Sequence, residues 1–182
     1  MWIARKYENT LKALSKQFPA VVVTGPRQAG KTAMVRHVFP DADYVSLDLP
    51  SVAAQAENTP ESFLRSHNKP LIIDEVQYAP ALFRYLKAVI DEDRKPGRFI
   101  LTGSQNFLLI QGISESLAGR CGVLNMFNLS AEEIKNTFGS FHETHYLFHG
   151  GYPELYANLD MDIGFWYSSY LTTYLERDVR NL

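Results

Sequence analysis

The 182-residue chain has a single cysteine, Cys121. One cysteine excludes an internal disulfide framework and a cysteine-rich zinc site, and it favours a reducing, cytoplasmic setting. Long apolar runs are also absent: the longest nearly uncharged stretches, such as residues 99–114, contain Thr, Gly, Ser, Gln and Asn, and none is typical of a membrane span. No apolar segment typical of a secretory signal follows Met1. These absences predict a soluble, cytoplasmic protein.

Net charge is nearly absent as well, since 18 Lys and Arg residues are balanced by 20 Asp and Glu residues, a formal charge of −2. Such a balance gives no general support for binding nucleic acid or anionic membranes. Residues 1–40 differ, with seven basic residues and one acid, Glu8. This segment either faces phosphate groups or forms one solvated helix face, and the sequence favours neither interpretation.

Short apolar segments alternate with helical periodicity over the first 129 residues. The predicted strands are residues 20–23, 43–48, 71–73, 98–102 and 122–129. The predicted helices are residues 3–17, 31–38, two short helices within 50–67, and 80–92. Strands separated by helices indicate βαβ units and a mostly parallel sheet. We therefore expect an α/β fold with a five-strand parallel sheet flanked by helices in residues 1–129, including an N-terminal helix in residues 1–18.

A small helical region is expected over residues 130–182. Ser130 and Glu133 have the spacing of a capping box that opens a helix, and the sequence Gly150-Gly-Tyr-Pro153 interrupts the helices that follow. In the first region, Thr59 and Pro60 predict an N-cap followed by proline at the first position of a helix.

Residues 25–32, Gly-Pro-Arg-Gln-Ala-Gly-Lys-Thr, fit the phosphate-loop pattern G-x-x-x-x-G-K-[ST]. The glycines allow backbone N–H groups to converge on phosphate oxygens, and the following helix adds the positive end of its dipole. Lys31 is expected to reach the β- and γ-phosphates, and the hydroxyl of Thr32 to ligate Mg²⁺. The predicted nucleotide-binding residues are Gly25, Pro26, Arg27, Gln28, Ala29, Gly30, Lys31, Thr32 and Ala33.

Asp74 and Glu75 directly follow the apolar segment Leu71-Ile-Ile73. In a parallel sheet this strand end lies beside the loop that holds the phosphates. Asp74 is therefore a candidate for the Mg²⁺ site together with Thr32. Glu75 is a candidate for orienting or deprotonating the water that attacks the γ-phosphate. The alternative is an acidic strand end that faces solvent.

Small polar residues end the fourth predicted strand, and one of them is expected to sense the γ-phosphate or the attacking water. Ser104 is the first choice, and Thr102 and Gln105 are the alternatives; a helix N-cap is the competing role for Ser104. Arg120 precedes the fifth strand. It is expected either to stabilise the transferred γ-phosphate, in its own subunit or a neighbour's, or to form a structural ion pair with a carboxylate.

Six segments carry a family resemblance: residues 23–32, 71–77, 101–107, 116–120, 150–154 and 174–179. In combination they resemble the AAA+ ATPases of the P-loop class with an additional catalytic glutamate. They resemble more closely the prokaryotic AAA+ proteins whose ATPase core precedes a C-terminal domain of unknown function. The resemblance implies ATP rather than GTP, with Mg²⁺ as cofactor. It also implies that Lys31 and Thr32 are the Walker A pair, Asp74 and Glu75 the Walker B pair, and Ser104 the sensor.

The resemblance also implies that the N-terminal segment with Arg5 flanks the nucleotide base. It further implies that Arg120 acts on the γ-phosphate. Members of this family usually continue beyond the segment that ends at Val179, whereas this chain stops at Leu182. We therefore expect a C-terminally shortened chain. Its partners would be ATP, a second copy of itself, and an unidentified protein that contacts the missing region.

Two further patterns have simpler explanations than a binding site. His142, His145 and His149 share one helix face but lack the H-E-x-x-H spacing, so a half-exposed face is preferred to a zinc site. Residues 146–174 contain nine aromatic residues but no Lys or Arg. Binding of single-stranded nucleic acid needs both, so this segment predicts a packing stripe instead.

ATP hydrolysis by water activated at Glu75 is thus the predicted function. Three alternatives stay open at this point. A nucleotide-gated interaction switch would hydrolyse slowly, and a P-loop kinase would need an added acceptor. A DNA-directed motor or regulator has only the basic residues of 1–40 in its favour.

Overall fold

The structure is a computed structural model that describes residues 2–67, 69–104, 113, 115–139 and 142–174. These residues form two compact units, one of residues 4–128 and one of residues 2–3 together with residues from 129 onward. Helices and strands alternate in the larger unit. Its strands are β1 (Ala20–Gly25), β2 (Asp43–Ser46), β3 (Leu71–Asp74), β4 (Phe99–Ser104) and β5 (Cys121–Asn125). Its helices are α1 (Glu8–Gln17), α2 (Lys31–Val38), α3 (Pro50–Asn58), α4 (Pro60–Arg65) and α5 (Leu82–Glu92), with a 3-10 turn at Val76–Tyr78.

The five strands form one parallel sheet in the order β2-β3-β4-β1-β5. Helices α2 to α5 lie in the crossover connections that parallel strands require. The predicted α/β fold with a five-strand parallel sheet is thereby confirmed. Because the strands run in one direction, their carboxyl ends share one edge, where Gly25 lies opposite Ser104 and Ser46 opposite Asp74.

The core surrounds the central strands of this sheet. Every residue of β1 and of β4 is buried, as expected for strands that are covered on both faces. Leu82, Leu86 and Ile90 of α5 are buried at the four-residue spacing of a helix face. Aliphatic side chains thus fill the body of the sheet, and polar side chains are concentrated where the strands end.

Several element boundaries differ from the predicted ones, among them those of α1, β2 and β5. Helix α1 begins at Glu8 rather than at residue 3, and β2 ends at Ser46 rather than at residue 48. Strand β5 ends at Asn125 rather than at residue 129, because its pairing with β1 ends at Thr24 and Asn125, one residue before β1 itself ends. A local apolar pattern contains no information about where the neighbouring strand ends.

The start of α4 differs from the prediction in its cap. Thr59 is the N-cap residue and Pro60 the first helical residue, as predicted. The Thr59 hydroxyl, however, donates to the carbonyl oxygen of Gln55 at 2.9 Å and does not cap α4. The carbonyl oxygen of Gln55, four residues before Thr59 in the last turn of α3, accepts the hydroxyl in place of a capping contact with α4.

The described part of the smaller unit is helical, with α6 (Ala131–Phe138), α7 (Glu143–His149), α8 (Pro153–Ala157) and α9 (Ile163–Tyr174). The capping box is confirmed: the hydroxyl of Ser130 accepts from the N–H of Glu133 at 3.3 Å, and the carboxylate of Glu133 accepts from the N–H of Ser130 at 2.7 Å. Trp166 and Tyr170 stack with ring centroids 5.2 Å apart; Trp166 packs against the buried cluster of the smaller unit, but no residue of α9 is itself buried. None of the helices within the described ranges is both long and apolar enough to cross a membrane.

Candidate functional site

The loop between β1 and α2 begins with a glycine that no other residue could replace without movement. Gly25 has a φ of 147°, and a Cβ atom there would lie 1.9 Å from the carbonyl oxygen of Met126. Gln28 and Gly30 adopt the left-handed region with φ values of 59° and 87°, and Gly30 is the N-cap residue of α2. Left-handed residues within a tight loop allow backbone N–H groups to converge on an anion.

Lys31, the first residue of α2, is buried and turns back over this loop. Its Nζ atom donates to the carbonyl oxygen of Gly25 at 3.1 Å and to that of Pro26 at 2.8 Å. Burial lowers the pKa of Lys31 below 10.5; the carboxylates of Glu75 and Asp74 oppose this effect, and the Arg27 guanidinium adds to it. A buried ammonium held by two neutral oxygens is suited to a strongly anionic ligand.

Thr32 and Asp74 meet at the edge of the sheet. The hydroxyl of Thr32 lies 2.8 Å from Oδ1 of Asp74 and 3.0 Å from Oδ2. The phenol of Tyr44 donates to Oδ2 at 2.9 Å, and the hydroxyl of Thr102 donates to Oδ1. Burial, together with the Asp74 carboxylate, raises the pKa of Tyr44, so that the phenol stays a neutral donor.

This donor set fits a magnesium ion. Mg²⁺ prefers oxygen ligands and is usually held by one or two protein groups together with the phosphates of a substrate. Thr32 and Asp74 provide a hydroxyl and a carboxylate, both next to the phosphate loop. Asp74 is 5% exposed, and a buried carboxylate of this kind is stabilised by a cation beside it.

Glu75 follows Asp74 and has a φ of 54°. Its carboxylate accepts a hydrogen bond from Nε2 of Gln77, and the same Nε2 lies 3.5 Å from the hydroxyl of Ser104. Ser104 is therefore near Glu75, whereas Thr102 is fully buried and contacts Asp74. Gln105, the third candidate sensor, lies outside the described residues.

Tyr44 and Gln77 contact the two acids of the site but were not among the predicted site residues. Gln77 falls within the segment 71–77 that carries the family resemblance, and its position two residues after Glu75 is the one signal that could have found it. Tyr44 has no such signal, because only the pairing of β2 with β3 brings it to Asp74.

Arg5 lies against the loop from the side of the N-terminal segment. Its guanidinium donates to the carbonyl oxygen of Ala29 at 2.8 Å and to that of Phe127 at 2.6 Å. Arg5 is 6% exposed. It therefore ties the phosphate loop to the chain that leaves β5, while its predicted place beside the nucleotide base stays a prediction.

Arg120 is not brought to this site within its own chain. Its carbonyl oxygen accepts from the N–H of Ala20 at the amino end of β1, and the phosphate loop follows the carboxyl end of that strand. The guanidinium makes two hydrogen bonds to the carboxylate of Asp91, at 2.8 and 2.7 Å. Of the two predicted alternatives, this geometry favours the structural ion pair within one chain.

The histidines of α7 and Cys121 are the remaining candidate ligands. Among the described residues, no group of three or more His, Cys, Asp and Glu side chains could hold a metal ion by itself. His145 and His149 stack with ring centroids 3.5 Å apart. Burial, and to a smaller extent the charge of His145, lowers the pKa of His149. Burial raises the pKa of the Cys121 thiol, which is typical of an inert cysteine.

Sequence comparison connects this geometry to a known family. A family model described as an AAA domain matches residues 17–135. Uncharacterised proteins of Mycobacterium bovis and Mycobacterium tuberculosis are each 35% identical over 166 residues, which is 90% of this chain and 37% of each relative. The chain thus spans little more than a third of the length of the curated relatives it matches.

Solved structures give a second comparison. The chain is similar to the Walker-type ATPase of Pyrococcus abyssi, with a TM-score of 0.61 and 17% identity over 98% of this chain and 77% of that one. It is also similar to a RuvB variant of Thermotoga maritima, with a TM-score of 0.51 and 20% identity over 74% of this chain and 49% of that one. At these identities the similarity concerns the fold, and it confirms the predicted P-loop NTPase fold.

Proposed function

Because the chain belongs to the AAA domain family, a family with a nucleotide-binding fold, we propose that it binds ATP with Mg²⁺ and hydrolyses the γ-phosphate. The contact of 2.8 Å between Thr32 and Asp74 carries this proposal. It joins the last residue of the phosphate-loop pattern to the acidic end of β3, where a magnesium ion bound to phosphates would meet both side chains. A loop that only bound an anion would not need a carboxylate at this place.

Each part of the site has a distinct role in the proposed reaction. The backbone N–H groups of residues 25–33 and the ammonium of Lys31 bind the β- and γ-phosphates. Thr32 and Asp74 hold Mg²⁺, which when bound neutralises charge on the phosphate oxygens. Ser104 donates to the γ-phosphate or to the attacking water.

Glu75 is the proposed general base. It takes a proton from water while the water oxygen bonds to the γ-phosphorus and the bond to the bridging oxygen breaks. ADP and inorganic phosphate then leave. The nearness of Glu75 to Ser104, through Gln77, supports this assignment.

Phosphate release from ATP tests the proposal. Lys31→Ala is expected to abolish nucleotide binding and turnover. Glu75→Gln is expected to retain ATP binding and to lose about 10²–10⁴-fold in turnover, the usual contribution of a general base. The proposal fails if the parent chain releases no phosphate with Mg²⁺ present, or if release requires an added acceptor, as it would for a kinase.

A nucleotide-gated switch with slow hydrolysis is the second candidate. It is supported by the position of Arg120, which pairs with Asp91 at the amino ends of the strands, whereas the phosphate loop follows the carboxyl end of β1. Arg120 would act on the γ-phosphate only in the site of a neighbouring subunit. Specific activity that rises with protein concentration favours the ATPase assembled from several copies, and a low activity that does not rise favours the switch.

A further inference from the structure

Gln77 connects the proposed general base to the proposed sensor. It lies in the 3-10 turn that follows β3, and 6% of its surface is exposed. Its Nε2 atom donates to Oε2 of Glu75 and lies 3.5 Å from Oγ of Ser104. Glu75 follows β3 and Ser104 ends β4, so one amide spans the two strand ends that frame the reaction.

The other end of this amide has no hydrogen-bond partner within the described ranges. Oε1 of Gln77 is buried and accepts no hydrogen bond from the part of the chain that the structure describes. A buried acceptor without a donor costs stability, and an apolar side chain of similar shape would avoid that cost. Packing alone therefore does not account for a glutamine at this position.

The backbone of Glu75 gives independent support. Its φ of 54° lies in the left-handed region, which residues other than glycine rarely adopt. Such a conformation persists where its surroundings hold it in place. The N–H of Glu75 donates to the hydroxyl of Thr102 at 3.4 Å, and its carboxylate is held by Gln77.

We propose that Gln77 is a positioning residue for ATP hydrolysis, which holds the carboxylate of Glu75 beside Ser104 in the orientation from which it accepts the proton of the attacking water. The inference rests on the proposed function. Without the hydrogen bond, the carboxylate is free to adopt other rotamers and is less often in place when water attacks. Within the described residues, the side chain of Gln77 makes hydrogen bonds to Glu75 and Ser104 and none to the phosphate loop or Lys31, so the loss falls mainly on kcat.

The variant Gln77→Met tests this role, because methionine keeps the length of the side chain and removes the amide. We expect kcat to fall about 10- to 100-fold and KM for ATP to stay unchanged. The thermal midpoint should change little, since the loss of the hydrogen bond to Glu75 opposes the removal of an acceptor that has no partner among the described residues. Gln55→Met, at an exposed position of α3, is the matched control and should leave kcat and thermal midpoint unchanged.

A double-mutant cycle with Glu75→Gln separates positioning from a merely structural role. If Gln77 acts through Glu75, Gln77→Met causes no further loss of single-turnover rate in the Glu75→Gln background. An equal loss in both backgrounds, or a parental kcat for Gln77→Met, overturns the inference. If Glu75→Gln itself turns over like the parent, the proposed function fails instead. Gln77→Leu, which also removes the amide and adds no charge, decides the matter if the methionine variant does not fold.

Discussion

The hydroxyl of Thr32 lies 2.8 Å from Oδ1 of Asp74, although 42 residues separate the two positions in the chain. Thr32 belongs to the first turn of α2, and Asp74 ends β3, which is separated from β1 in the sheet by β4. The parallel direction of the strands places both at the carboxyl edge. The pair thereby brings a hydroxyl and a carboxylate together where we propose that Mg²⁺ binds.

Replacing this hydroxyl should weaken the magnesium site selectively. Thr32→Val keeps the shape of the side chain but removes the ligand, whereas Thr32→Ser keeps the ligand. We expect Thr32→Val to lose about tenfold or more in affinity for MgATP, equivalent to one hydrogen bond to a charged group at about 1.5–3 kcal/mol. Calorimetric titration with Mg²⁺ and with a chelator should show that affinity for metal-free ATP is nearly unchanged. Equal losses under both conditions would contradict a metal role for Thr32.

A methyl group at the start of the phosphate loop should displace it. In Gly25→Ala the new Cβ would lie 1.9 Å from a backbone oxygen of Met126, so the loop or β5 must move. We expect a loss of about 2 kcal/mol or more in the free energy of unfolding, together with loss of nucleotide binding. Urea unfolding and nucleotide titration measure the two effects.

Gly119→Ala is the matched control for that substitution. Gly119 has a φ of 72°, but a Cβ there would meet nothing within 4 Å. The free energy of unfolding should fall by only about 1–2 kcal/mol, the cost of placing alanine in the left-handed region. The variant should bind nucleotide like the parent. Equal loss of nucleotide binding in both variants would show that the contact with Met126 is not decisive.

Nucleotide binding should be accompanied by proton uptake at alkaline pH. Burial lowers the pKa of Lys31, so the ammonium begins to lose its proton below 10.5 in the free protein. Bound phosphates favour the charged form and raise this pKa, and Lys31 then takes up a proton. The phosphates have a second pKa of about 6, so they are fully ionised at alkaline pH and take up no proton themselves.

Calorimetry in two buffers of different ionisation enthalpy measures this uptake. The uptake should be smallest at neutral pH and should grow as the pH rises toward 10.5. Lys31→Arg should abolish it, because arginine stays protonated throughout. A binding enthalpy that does not depend on the buffer at alkaline pH would mean that phosphates do not approach Lys31.

Arg120 should act between subunits if it acts on phosphate at all. The hydrogen-bonded Arg120 guanidinium lowers the pKa of Asp91, but an exposed ion pair contributes little to stability. Arg120→Ala should therefore fold normally, with a thermal midpoint close to that of the parent. Mixing Arg120→Ala with Lys31→Ala should restore phosphate release, since each inactive chain supplies the group that the other lacks.

Two outcomes would contradict the role of Arg120 between subunits. One is an Arg120→Ala chain that hydrolyses ATP like the parent at every protein concentration. The other is a mixture of the two variants no more active than either alone, under conditions in which light scattering shows that they assemble. Asp91→Asn is the control, because it removes the same ion pair and retains the arginine.

The local features of this protein followed from its sequence because each depends on neighbouring residues. The phosphate loop needs particular residues within positions 25–32, and the capping box needs Ser130 three residues before Glu133. The strands are short apolar segments between helical periodicities, which is sufficient to predict five parallel strands. The end of β5 was predicted four residues too late, because it depends on where β1 ends.

The tertiary structure decided which distant side chains meet. Tyr44 reaches Asp74 only because β2 pairs with β3, and Arg120 is separated from the phosphate loop because it precedes β5 at the other edge of the sheet. The amide of Gln77 approaches Ser104 because β3 and β4 are neighbours. Sequence spacing determines what each segment becomes, whereas strand order and register determine contacts between segments, and these arise only when the whole sheet forms around one core.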